Sequence, residues 1–109
     1  MTVKLAILKS GEDIIADIQE MVVEDKVVGY IFNKPCSIKM KSSEEKESVE
    51  TNSVKIRLVP WILLTKDTRV PVSLDWVITL VDPIDQLSNM YQEDILKNEK
   101  NDQNISINE

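Results

Sequence analysis

Four cations occupy alternate positions on either side of an acidic stretch: Lys39 and Lys41 before it, Lys55 and Arg57 after it. Side chains two residues apart on a strand share a face, so each pair projects from one side of a sheet. If the two segments lie beside each other, the four side chains make a basic stripe. Such a stripe holds a phosphate backbone by charge. The plainer arrangement is the outer face of a sheet, with each cation paired across strands to an acidic neighbour, and this is the reading preferred here. Trp61 and Trp76 offer flat surfaces on which bases stack. Each lies inside an apolar run, which favours packing in a core or between subunits.

The remaining reactive residue types support little chemistry. Glu12, Asp13 and Asp17 are close in sequence, but their spacing fits no calcium loop and they alternate with apolar residues as a solvated strand face does. Glu44, Glu45, Glu47 and Glu50 read as solvation of a loop. Cys36 follows Pro35 and opens an alternating apolar set, so a buried, inert thiol is expected. The chain has no histidine, which removes the commonest general base and the commonest zinc ligand. Its 2 glycines form no phosphate-cradling loop. No catalytic residue, metal site or cofactor is assigned, and a non-enzymatic protein is expected.

These residues must be positioned by a small β architecture. A length of 109 residues fits one domain, and a hydrophobic fraction of 42% is enough for a core. The net charge of -6 opposes a polyanion at long range. A single cysteine permits no internal disulfide and suits a reducing compartment. The N-terminal segment lacks the apolar run of a signal peptide, and no apolar stretch reaches ~18 residues, so a cytoplasmic location is expected.

Alternation predicts a first strand with Val3, Leu5 and Ile7 on one side and Lys4 and Ala6 on the other. A turn over 10–13 leads to a second strand carrying Ile14, Ala16 and Ile18 and continuing to Val23. After a polar turn at Glu24, Asp25 and Lys26, Val27 to Phe32 form a third apolar segment. Pro35 is expected to break it, because proline cannot donate to a ladder. Cys36, Ile38 and Met40 then alternate. Residues 42–53 read as an acidic, mobile loop. Val54 to Leu64 and Val70 to Val81 read as two long β segments, the second with a polar corner at Ser73, Leu74 and Asp75. Asp82 as N-cap and Pro83 at the first helical position predict a helix over 83–97, with Ile84, Leu87, Tyr91 and Ile95 as its buried stripe. The asparagine-rich tail, 98–109, is expected to be disordered, leaving one domain over 1–97.

Two blocks of this pattern resemble the Sm-like family, which includes Sm and Sm-like proteins and bacterial Hfq. The family's first motif has apolar, glycine and apolar places that Leu8, Gly11, Ile14, Ala16 and Ile18 occupy here. Ala16 stands where a second glycine lets the strand bend. In the second motif Val70, Val72, Val77 and Leu80 fall on the apolar places. Ser73 and Leu74 stand where the arginine and glycine belong; aligned to the bacterial form, Leu74 and Asp75 replace its Lys-His. The helix follows the strands, whereas the family usually places one before them. Small variants of this kind, lacking the arginine, are similar to Sm-like proteins of tailed phages.

The resemblance implies a mainly β fold: a strongly bent five-stranded antiparallel barrel, here with a C-terminal helix. It also implies a homo-oligomeric ring of about five to seven subunits, closed where the fourth strand of one subunit pairs with the fifth of the next. The family binds single-stranded RNA around the ring pore, so an RNA-associated or RNA-chaperone relative is one expectation. The missing arginine and the acidic charge make weak RNA binding, or none, the expected outcome. The alternative is a structural or protein-interaction ring, of phage type, without nucleic acid.

Overall fold

The computed structural model describes residues 2–40 and 56–96. Lys41, Lys55, the loop 42–53 and the tail 98–109 lie outside the described residues. Strand β1 (Val3–Leu8) turns into β2 (Asp13–Val23) through a corner where Gly11 adopts φ +92°, a conformation that L side chains rarely take. The Gly11 N–H donates to the Leu8 carbonyl at 2.8 Å, and the Leu8 N–H to the Glu12 carbonyl at 3.0 Å. Strand β3 (Lys26–Met40) returns along β2 after a tight turn in which Glu24 and Asp25 both have positive φ, 51° and 67°. Two consecutive left-handed residues twist the turn in the sense that matches the flanking strands.

β3 runs on through Pro35, where the sequence predicts a break. The proline is absorbed by a bulge. Ile15 faces Cys36 and Asp17 faces Asn33, so β3 has one residue more than β2 across that step. Lys34 adopts φ 49° there, and Pro35 brings no N–H that would need a partner. The resulting bend lets one edge of β3 serve two strands. β4 (Ile56–Pro60) pairs with Cys36–Met40, and β5 (Arg69–Ser73) pairs with Gly29–Asn33. Gly29 admits the β5 backbone closely, since a Cβ there would meet the Val72 carbonyl oxygen at 3.2 Å.

After a 3-10 turn over Leu74–Trp76, β6 (Val77–Val81) crosses to pair with β1. The sheet order is β4-β3-β2-β1-β6, with β5 beside β4 on the outer edge of β3, and every pairing is antiparallel. The predicted mainly β, antiparallel architecture is therefore present, with two corrections. Among the described residues there are six strands, because the 3-10 turn divides Val70 to Val81. The sheet also does not close, so β6 lies at one edge and β4 and β5 at the other.

Each face of the sheet is apolar. Ala6, Leu8, Ile14, Ala16, Ile18, Phe32 and Val72 form one core. The alternate positions, Val3, Leu5, Ile15 and Cys36, join a second core beneath helix α1 (Asp85–Tyr91). Along β1 the deeply buried residues are Ala6 and Leu8, while Val3, Leu5 and Ile7 are half-buried. The helix is shorter than predicted and continues as a π-helical segment over Gln92–Leu96. Its N-cap is Ile84, with no side-chain cap. Asp82 instead accepts from the Lys4 ammonium at 2.6 Å, which commits its carboxylate to β1.

Candidate assembly edges and nucleic-acid surface

The antiparallel register of β3 and β4 sets Lys39 directly opposite Arg57, and both are exposed. Opposed residues in such a pair point to the same face, so the two cations stand side by side. Sequence reasoning brings them onto neighbouring strands correctly, but it pairs them with acidic residues. Neither Lys39 nor Arg57 has an ion-pair partner among the described residues. Like charges in direct opposition weaken a sheet by some tenths of a kcal/mol, a cost that a bound anion would remove. The other face of the same strands is apolar, because Ile38 opposes Leu58 and both pack toward the helix.

The corner residues Ser73, Leu74 and Asp75 are all exposed, and none is basic. Ser73 precedes the 3-10 turn in an extended conformation and makes no side-chain cap. The corner is anchored by the Trp76 carbonyl, which accepts from the Lys9 N–H at 2.9 Å. Trp76 and Leu74 themselves project outward. Trp61, in contrast, packs against the first core. Its ring lies 6.1 Å from that of Phe32, and its indole N–H donates to the Glu12 carboxylate at 3.3 Å. Trp61 is therefore partly used by the fold, and Trp76 is not.

Gly11 and Ala16 lie at two irregular points of the sheet. Gly11 supplies the positive φ of the first corner. Ala16 is fully buried at the step where the register of β2 and β3 shifts.

Tyr91 has a role that its place in the helical stripe does not reveal. Its hydroxyl donates to the Asn33 carbonyl at 2.8 Å, with the Lys34 carbonyl at 3.0 Å as an alternative acceptor. It also accepts from the Asp17 N–H at 3.2 Å. One buried phenol thus satisfies backbone groups on both sides of the β3 bulge. Burial pushes its pKa well above the ordinary tyrosine value, partly offset by the Asp17 N–H. Cys36 is buried next to this bulge, and burial pushes its thiol from 9.0 up to about 11 despite the opposing effect of Lys34. The thiol is neutral at physiological pH, as expected for a packing residue.

The acidic candidates do not converge. Glu12 accepts from the Ser10 hydroxyl and the Trp61 indole, and Asp17 from the Thr2 N–H at 2.9 Å. Among the described residues no group of three histidine, cysteine, aspartate or glutamate side chains is placed to hold a metal. No described helix is long and apolar enough to cross a membrane.

The sheet has free edges on both sides among the described residues. On β6, Ile78 and Val81 face outward, and on the opposite side the outer edge of β5 makes no pairing among the described residues. Unpaired edges of this kind are templates for another strand. Compared with known proteins, the chain matches no family model and no curated relative.

Proposed function

We propose that this protein is a non-enzymatic, ring-forming module of the Sm-like kind, built by edge-to-edge pairing of identical chains. The observation that carries this reading is the pair of free edges. β5 ends the sheet on one side and β6 on the other, separated in sequence by one 3-10 turn. In the family that the sequence resembles, subunits join by pairing the fourth strand of one with the fifth of the next, and β5 and β6 are edges open to a pairing of that kind here. Outward-facing Ile78 supplies apolar area at the β6 edge. Strand addition satisfies backbone groups on both partners, and a rotation that closes leaves no edge in the assembly. Native mass spectrometry tests the reading. The unmodified chain gives one closed stoichiometry of about five to seven copies, and Ile78→Lys shifts it toward the monomer. A wild-type spectrum of monomers alone would exclude the ring.

A second reading, association of the ring with RNA, draws support from one feature, the opposed and unpaired Lys39 and Arg57. Lys41 and Lys55 would extend that stripe. Against it stand the net charge of -6 and the corner Ser73, Leu74 and Asp75, which lacks the family's basic residue. Weak binding or none is the expected result with uridine-rich and adenosine-rich oligonucleotides at low salt. Tight binding that is lost steeply with salt, and lost in Lys39→Ala/Arg57→Ala, would move the reading to an RNA-binding ring. A cytoplasmic location accompanies either reading, supported by the single buried thiol.

A further inference from the structure

The segment between β4 and β5 carries Ile62, Leu63 and Leu64 in a row and leaves all three outside, with Leu63 69% and Leu64 98% exposed. Three adjacent exposed aliphatics form a continuous apolar tip, unlike the scattered exposed residues of an ordinary surface. The tip leaves the sheet after Pro60 and returns at Arg69, so it projects from the same edge of β3 that ends in β5. We infer that this tip is a seat for a second copy of the chain, and that the neighbour's Ile84 occupies it. The inference rests on the ring reading and adds to it a contact made by side chains outside the paired strands.

Strand direction selects Ile84. Every pairing within the chain is antiparallel. If a neighbour's β6 adds to β5 in that same sense, its Val77 lies near Ser73 and its Val81 near Arg69. The residues after Val81 then extend past Arg69 toward the tip. Ile84 is the first large aliphatic among them, and it is 64% exposed. It is also the member of the predicted helical stripe that its own sheet leaves uncovered, whereas Leu87 and Tyr91 are buried. Charge agrees with this match. Exposed Lys66 and Arg69 follow the tip, with Asp67 between them, and exposed Asp85 adjoins Ile84. Each of the two surfaces exposes an apolar group within one chain, and each covers the other between chains.

Two variants with one added cysteine each, Leu64→Cys and Ile84→Cys, co-expressed and mildly oxidised, test this directly, because native Cys36 is buried and gives little background. The expected product is a disulfide-linked pair containing one chain of each variant. Leu64→Cys with Trp76→Cys is expected to give none; a link there means parallel addition and overturns the assignment. Leu63→Lys/Leu64→Lys is expected to raise the concentration at which the ring dissociates at least tenfold. A wild-type ring whose dissociation is unchanged in that variant overturns the seat while leaving the ring reading intact. A wild-type monomer overturns both.

Discussion

A single hydroxyl bridges the two strands at the β3 bulge. Tyr91 meets the Asn33 carbonyl and the Asp17 N–H from a fully buried position, so removing it strands backbone groups away from water. Tyr91→Phe is expected to cost about 1–3 kcal/mol in urea unfolding, more than its small change in volume would suggest. Cys36 makes a separate prediction about pH. Its folded pKa lies above the ordinary 9.0, at about 11, so the folded state prefers the neutral thiol. That preference is fully present below pH 9 and is lost between 9 and 11, as the unfolded chain ionises first. Stability should fall by up to about 2–3 kcal/mol across that window from this residue. Cys36→Ala should flatten the alkaline limb of a denaturation series, and an unchanged slope would assign it to other groups. At this scale the sequence is legible where a residue acts alone. Gly11 at a turn and Cys36 as a buried thiol are both read correctly. Tyr91 is read only as apolar, because its partners are backbone groups that come together once β3 bulges at Lys34.

At the scale of elements, alternation and turn chemistry identify β1, β2 and the Glu24–Asp25 turn, and the change of period identifies the helix. Breaks are harder to read. Pro35 marks an end in the sequence, but a bulge carries the strand past it, since the proline's missing N–H falls where the ladder is already irregular. Trp61 to Leu64 reads as a continuing strand, yet β4 stops at Pro60 and the leucines are exposed. Apolar character alone does not distinguish a buried strand from an exposed loop. The helix separates its own stripe in the same way. Leu87 is buried in the second core, so Leu87→Ala should cost about 2–5 kcal/mol. Ile84→Ala should change the stability of the isolated chain by no more than about 0.5 kcal/mol. Thermal or urea unfolding of the two variants, compared below the concentration of assembly, checks the contrast. Equal losses would mean that Ile84 packs within its own chain.

At the scale of the molecule, the described residues form an open sheet with an apolar core on each face and free edges on both sides. Under the ring proposal, pairing of those edges between copies would cover backbone groups that a lone chain of 109 residues leaves open. The sequence conveys the β class through its alternating segments and the first corner through Gly11. Unpaired edges are expected on the two late β segments, but which strands carry them follows from pairing, and the 3-10 turn that sends β6 to the far side of the sheet is not legible in any one segment. The opposed cations Lys39 and Arg57 belong to the same category, since a cross-strand register created them. The account stands most directly on the mass of the protein in solution. Size-exclusion chromatography with light scattering at micromolar concentration should return a single species of about five to seven times the chain mass, unchanged on moderate dilution. A mass equal to one chain at that concentration would contradict the account.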